Sequence, residues 1–258
     1  MKPLEITVQA AGTPEELCSN IRSALARGLP ELTLAPITHD ATMVLVASGW
    51  SMPDYINDIK AHRKAGHVIG AIKGAHDFLV ENGVEPDFWV NLDPRDRTNG
   101  IKHKNDRTLY LVASRCPPST FDYLQGKRVM VWHSWAEGPE MDAMGPGKLA
   151  IGGGTTSGLR AINIGYIMGF RKFFLYGYDS CNSPDGRKRF TGELPGLTVD
   201  VWVGGADGKK FNCNAAMAQQ ANEFQKLFEV MPDLQIEVIG PGLIAEIMRC
   251  RRNMAKAA

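Results

Sequence analysis

The sequence predicts an α/β fold built on a mostly parallel sheet, and three observations carry that prediction. Short apolar runs such as Met43-Val-Leu-Val-Ala-Ser48 and Lys172-Phe-Phe-Leu-Tyr176 recur along the chain, and continuous apolarity marks strands buried on both faces. Helical patterns of about 10–15 residues separate them, the length that a crossover between parallel strands requires. The composition is globular: 258 residues, 44% hydrophobic and 22% charged, enough to bury a core without staples.

Thr13-Pro-Glu-Glu opens the first helix with a cap, a proline at the first position and acids near the positive end; Gly28 stops it. A strand over 43–48 ends at Gly49, and a helix over 53–65 closes at Gly66. Strands follow at 67–72, 87–92, 109–113 and 128–132, with a short helix at 74–82 between the first two. The pattern then gives a helix over 157–168, a strand over 172–176, a long helix over 213–230 and a last strand over 235–239. Together these elements predict a Rossmann-like three-layer sandwich. Such sheets bind ligands beyond the carboxyl ends of their strands, so the residues just after each strand are the candidates.

Charge excludes little. Lys and Arg number 29 against 28 Asp and Glu, a net +1, which argues against non-specific wrapping of nucleic acid. The five cysteines, Cys18, Cys116, Cys181, Cys213 and Cys250, form no CxxC pair. A thiolate zinc site and a disulfide scaffold are therefore not expected, and reduced thiols in a cytoplasmic protein are. The opening residues lack the apolar core of a signal peptide, and no run of about 18 apolar residues suggests a membrane span.

After the first strand, Ala47-Ser-Gly-Trp-Ser-Met52 turns into a helix, so Ser48, Gly49 and Ser51 are candidates for an anion seat. The third strand ends at Asn91-Leu-Asp93-Pro94. Asp93 could hold a metal ion, a ribose or an acceptor hydroxyl, or could simply cap a turn. His133, at the end of the fifth strand, is the best placed of six histidines to take a proton, unless it only bonds structurally. The strongest local feature is Ile151-Gly-Gly-Gly-Thr-Thr-Ser-Gly158. Gly153 and Gly154 allow close backbone approach, Thr155, Thr156 and Ser157 supply hydroxyls, and Gly158 lies at a helix start. Asp179 ends the sixth strand and, with Asp93, could hold Mg²⁺ beside phosphate oxygens. Basic stretches from Arg95 to Arg107 and at Arg187-Lys-Arg189 could grip phosphates or be solvated loop charge.

Ala47–Met52, Gly83-Val-Glu-Pro-Asp87 with Asn91-Leu-Asp93-Pro94, and Gly154-Thr-Thr-Ser-Gly158 through Asp179 together resemble the MptE-like family. That family is named for the archaeal 6-hydroxymethylpterin diphosphokinase, and its domain also forms the core of motility accessory factors linked to flagellin glycosylation. The resemblance covers roughly residues 40–245. It implies an N-terminal helical extension over 1–40, the family domain over 41–245 and a basic C-terminal tail over 246–258. Residues 155–179 are also similar to bacterial sialyltransferases that use CMP-sugars. That similarity implies Ser48, Gly49 and Ser51 at the nucleotide and Thr155, Thr156, Ser157 and Gly158 at its phosphate. Trp50 departs from the family's Pro-Ser turn and could stack on a base or pack. Asn-Leu-Asp-Pro is closer to the motility factors than to the pterin enzymes.

The expected function is a nucleotide-dependent transferase, a glycosyltransferase moving a sugar from a nucleotide-sugar to a hydroxyl on a small molecule or glycan. His133 or Asp93 would deprotonate the acceptor. One alternative is Mg-ATP-dependent diphosphate transfer to a small hydroxymethyl compound such as a pterin, with Asp93 and Asp179 holding the metal. Another is a nucleotide-binding module without catalysis. Arg249, Arg251 and Arg252 with the basic loops would suit a nucleic-acid acceptor, which near-neutral charge disfavours. A homo-oligomer is compatible with the sequence, and the glycine-rich segment 183–212 reads as an acceptor-side loop.

Overall fold

The first helix, α1 (Pro14–Ala26), begins as Thr13 dictates. Thr13 Oγ1 accepts from the Glu16 amide, and the Glu16 carboxylate accepts from the Thr13 amide, a reciprocal capping box. The structure is a computed structural model that describes residues 11–190 and 200–257. Its remaining helices are α2 (Ile56–Lys64), α3 (Ala75–Glu81), α4 (Pro118–Tyr123), α5 (Pro139–Met144), α6 (Ser157–Ile167), α7 (Ala215–Val230) and α8 (Leu243–Ala257).

The strands are β1 (Thr42–Val46), β2 (Val68–Ile72), β3 (Phe88–Asn91), β4 (Leu109–Ala113), β5 (Val129–Ser134), β6 (Ala150–Ile151), β7 (Lys172–Tyr176), β8 (Asp200–Gly204), β9 (Lys210–Asn214) and β10 (Gln235–Ile239). Every expected strand is present, with ends within two residues of the expected ones. Among the described residues, eight strands form one sheet in the order β10-β7-β1-β2-β3-β4-β5-β6, and every pair in it is parallel. The Rossmann-like three-layer reading therefore holds.

The chain lays down β1 to β6 in one direction, then returns to place β7 on the far side of β1. The reversal opens a crevice between β1 and β7, the switch point where such sheets take ligands. The same reversal, with right-handed crossovers, puts α6 on the opposite face from α2, α3 and α4. Helix α6 packs over β1, β2 and β3, and α7 packs beside it.

The sheet centre is dry. Val44, Leu45, Val46, Ile69, Leu111 and Val112 are at most 1% exposed, and each buried side chain of this size stabilises by about 1.5–3 kcal/mol relative to exposure. Trp89 and Trp132 are also buried, and each satisfies its indole N–H on a neighbouring backbone: Trp89 to the Lys73 carbonyl at 2.9 Å, Trp132 to the Leu111 carbonyl at 3.2 Å.

Three regions differ from the sequence reading. Helix α1 is bound into the fold, packing on α4 and α5. The residues after it line the edge of β5, where Leu32 N–H donates to Val131 O and Val131 N–H to Pro30 O, both at 2.8 Å; covering an open edge removes unpaired backbone groups. The stretch read as a basic tail lies, over its described residues, within α8. The segment 183–212 contains part of a β8–β9 hairpin, its turn carried by Asp207 and Gly208 at φ 56° and 73°; residues 191–199 lie outside the described residues. Among the described residues, no helix is long and apolar enough to cross a membrane. Among the described residues, the five cysteines form no disulfide.

Candidate functional site

The β1 turn docks on the β7 turn without side chains between them. Gly49 N–H donates to the Gly177 carbonyl at 2.9 Å, and a Cβ on Gly49 would fall far inside contact distance of that carbonyl and of Asp179 Oδ2. Asp179 closes the joint: Oδ1 accepts from Ser51 Oγ at 2.6 Å and Oδ2 from the Ser51 amide at 2.9 Å. Burial pushes its carboxyl above the usual range, and the Ser51 bonds only partly oppose this. Its carbonyl accepts from Leu243 N–H at the start of α8. Trp50 packs here, its indole N–H donating to the Cys181 carbonyl at 3.1 Å.

Helix α6 aims its N-terminus at the same place. Thr156 is the N-cap and accepts from the Leu159 amide at 3.3 Å, leaving the amides of Ser157 and Gly158 without intrahelical partners. Ser157 is 4% exposed, and its Oγ has no hydrogen-bond partner among the described residues. Tyr178 O–H donates to the Gly158 carbonyl at 3.0 Å, tying α6 to the β7 end. Helix α7 begins nearby, where Asn214 caps it by accepting from the Met217 amide at 2.8 Å.

These parts enclose a cavity of about 390 Å³ at the switch point. The turn residues Ser48 and Gly49, the α6 residues Thr156, Ser157 and Gly158, and Asp179 and Ser180 line it, together with Lys73, Lys188 and Arg189 and the start of α7. Six of the expected site residues, Ser48, Gly49, Thr156, Ser157, Gly158 and Asp179, thus share one cavity. Ser51 stands behind them as the partner of Asp179.

The other expected residues are placed elsewhere. Gly153 and Gly154 have φ of 93° and 103° but do not line the cavity. The backbone approach they permit is to α6: Asn163 Nδ2 donates to the Gly153 carbonyl at 3.4 Å, and a Cβ on Gly154 would meet Leu159. Thr155 is occupied, its amide and hydroxyl both donating to Glu223 Oε2 of α7 at 2.9 and 3.0 Å. A carboxylate there takes the donors that the sequence reading gave to phosphate.

His133 sits near the far edge of the sheet, 1% exposed, with Nε2 at 3.0 Å from Glu31 Oε2. Glu31 also accepts from Lys148 Nζ at 2.6 Å. The geometry gives His133 a carboxylate hydrogen-bond partner rather than a place at the cavity.

Asp93 lies behind the cavity wall. Lys73 Nζ donates to its Oδ2 at 3.0 Å, Arg95 bonds both oxygens at 2.8 and 3.0 Å, and Arg97 Nε donates at 3.1 Å. Burial pushes the carboxyl up, but the hydrogen bonds from Arg95 and the charge of Lys73 outweigh it and hold the group well below the usual range. Such a carboxylate is a poor base at neutral pH. The pair Asp93 and Asp179 does not fit a Mg²⁺ site either, since Asp93 is surrounded by cations and both Asp179 oxygens bond Ser51. Among the described residues, no group of three or more His, Cys, Asp or Glu side chains could hold a metal.

The sequence reading missed Lys73 and Ser180. Both lie just past strand ends, which is the one signal that could have found them. Of the basic stretch from Arg95 to Arg107, Arg95 and Arg97 serve Asp93, Lys104 donates to the Tyr123 carbonyl and Arg107 pairs with Glu85.

Comparison with known proteins bears on the fold and the family. The computed fold superposes on the Maf glycosyltransferase from Magnetospirillum magneticum AMB-1 with a TM-score of 0.66 at 16% identity, covering 96% of this chain and 42% of that one. The chain therefore spans less than half the length of that protein. A mammalian sialyltransferase in complex with Gal-beta-1-3GalNAc-ortho-nitrophenol gives a TM-score of 0.45 at 10% identity, over 93% of this chain and 90% of that one. No curated protein sequence matches. The family described as 6-hydroxymethylpterin diphosphokinase MptE-like matches residues 15–185, beginning inside α1 and running past Asp179. A match over most of the chain, taking in the turns after β1, β3 and β7 on which the sequence resemblance rests, shows that this protein belongs to the MptE-like family.

Proposed function

We propose that the protein is a transferase that binds a nucleotide donor in the switch-point cavity and passes a sugar to a hydroxyl on a small molecule or glycan. The observation that carries this reading is the lining of the cavity. Amides and hydroxyls at the α6 start face Lys73, Lys188 and Arg189, and Asp179, the carboxylate among the lining residues, is turned into Ser51. Neutral donors and cations lining one cavity are what a phosphate needs. The same donors would stabilise charge on the phosphate as it leaves the sugar, with Ser157 Oγ and the amides of Ser157 and Gly158 already oriented. The fold shared with the Maf glycosyltransferase supports the reading at the level of architecture.

Diphosphate transfer from Mg-ATP, suggested by the family's description, would need metal ligands that Asp93 and Asp179 do not offer as they are bonded here. A thermal-shift screen against CMP, CDP, UDP, GDP, ADP and ATP, each with and without Mg²⁺, separates the readings. A ligand at about 100 times its Kd adds about 2.7 kcal/mol. Stabilisation by a metal-free nucleotide is the expected result. A shift with Mg-ATP alone favours diphosphate transfer, binding without turnover favours a non-catalytic module, and no shift at all overturns the proposal.

A further inference from the structure

Among the described residues, two cations of the cavity lining, Lys73 and Arg189, belong to a cluster of positive charge gathered on Asp93 behind the wall. Lys73, Arg95 and Arg97 all pair with Asp93. Arg189 lies within electrostatic range of the same group, half-buried, and makes no ion pair among the described residues. Among the described residues, four cations thus gather about the one carboxylate of Asp93. Arg189 is itself disfavoured as a cation, first by burial and then by Arg97. Uncompensated charge in a partly buried site is costly unless an anion answers it.

The backbone is strained to make this wall. Among the described residues, three non-glycines have positive φ: Lys73 at 50°, Ser180 at 48° and Asp207 at 56°. Two of the three, Lys73 and Ser180, line this cavity. The Lys73 conformation is fixed from both sides, its amide donating to the Val90 carbonyl at 3.2 Å and its carbonyl accepting from Trp89 Nε1 at 2.9 Å. Strain of this kind persists only where surrounding bonds over-determine it, and it clusters at ligand sites. Among the described residues, Ser180 Oγ is buried without a hydrogen-bond partner, as is Ser157 Oγ.

We infer that Lys73 and Arg189 form a second anion seat in the cavity, which takes a phosphoryl or carboxylate group of the same ligand whose first phosphate lies at the α6 start. The inference rests on the nucleotide reading for the first seat. The two seats differ in kind. The α6 seat offers neutral donors and a helix end, whereas the Lys73–Arg189 seat offers full charges and the planar fork of an arginine. Both open into one cavity of about 390 Å³, so a single ligand can reach both.

The test uses the whole chain, titrated by calorimetry at constant ionic strength with inorganic phosphate and pyrophosphate. Pyrophosphate is expected to bind at least tenfold more tightly. Arg189→Gln should bring the two within about threefold while leaving phosphate itself little changed, and Arg189→Lys should restore part of the preference. Arg107→Gln, a mostly exposed cation outside the cavity, should leave the preference intact. The source of the second anion is read from nucleotides. A gain for nucleoside diphosphate over monophosphate identifies a second phosphoryl group, and a gain confined to a monophosphate-linked sugar acid over its neutral counterpart identifies a carboxylate. Equal binding of phosphate and pyrophosphate, or equal weakening of both by Arg189→Gln, overturns the seat. Nucleotide binding with no gain from a second anion sinks the seat and keeps the proposed function. A pyrophosphate preference lost in Arg189→Gln, without nucleotide binding, does the reverse.

Discussion

Replacing Asp93 by Asn would remove the charge that holds Lys73, Arg95 and Arg97 together. Asp93 is 4% exposed as a side chain, Lys73 28%, Arg97 37% and Arg95 61%. Breaking a buried pair by deleting one partner costs about 3–5 kcal/mol. That figure suits the Lys73 contact. Arg95 and Arg97 are screened by solvent, and exposed pairs contribute about 0–1 kcal/mol each. Asn also keeps an acceptor for one donor and is close to isosteric. The expected loss is about 2–4 kcal/mol, read as a lower urea midpoint with unchanged slope. The pH dependence has a definite sign. The folded carboxyl is held below its ordinary range, so its stabilisation is fully present above the unfolded pKa and is lost as pH falls through the folded one. The gap between the protein and Asp93→Asn should therefore stay flat from about pH 5 to 8 and narrow only below about pH 4. A variant within about 0.5 kcal/mol of the parent at pH 7 would refute the argument that Asp93 organises this wall.

Substitutions at four further positions test the rest of the reading. Gly49→Ala places a methyl group against the Gly177 backbone, which has no flexible end to give way; a loss of about 1–3 kcal/mol and of nucleotide binding is expected, the first read by thermal melting. Asp179→Asn can still accept from the Ser51 amide and donate to Ser51 Oγ, so it should stay within about 1 kcal/mol of the parent, whereas Asp179→Ala strands both Ser51 donors and should cost about 1–3 kcal/mol. Because burial raises the Asp179 carboxyl, its ionisation opposes folding above the unfolded pKa. The parent should therefore gain stability relative to Asp179→Asn as pH falls through the raised value, in paired denaturant titrations. Glu223→Ala frees the Thr155 amide and hydroxyl from an exposed carboxylate contact; stability should change by less than about 1 kcal/mol, while phosphate affinity measured by calorimetry rises. His133→Gln should lower stability by about 1–2 kcal/mol through its Glu31 contact and leave nucleotide affinity unchanged; a large loss of turnover without a loss of stability would return His133 to the role of base.

How much of this was legible in the sequence depended on whether the signal was local. The strands from β1 to β5, with β7, announce themselves as apolar runs and β10 as an alternating one, while α1, α6 and α7 carry side-chain caps and α2 and α3 end at glycines. The elements that escaped, β6, α4, α5 and the β8–β9 hairpin, are short or polar; β6 has only two residues, held by pairing with His133 and Ser134. Such elements exist because tertiary contacts select them, which no window of sequence encodes. Helix α8 hid its apolar face among arginines, and Arg251 stacks over Phe228 instead of reaching outward.

The site divided along the same line. Ser48, Gly49, Thr156, Ser157, Gly158 and Asp179 share one cavity because each adjoins a strand end or helix start, and the topology brings strand ends together. What sequence could not show is which polar groups already have partners. A Gly-Gly-Gly-Thr-Thr-Ser loop reads as a phosphate cradle until Glu223, 68 positions away, is found holding Thr155. Asp93 reads as a metal ligand until three cations are found on it. The two occupancies act in the same direction. Each takes groups that looked available and narrows the proposed anion-binding donors to the α6 start on one side and to Lys73 and Arg189 on the other. A ligand bound there meets donors that are already positioned, because the capping bond of Thr156, the Tyr178 tether and the strained Lys73 backbone are all in place beforehand. Such a site spends little ordering itself on binding, which is where affinity for a small, highly charged ligand is usually lost.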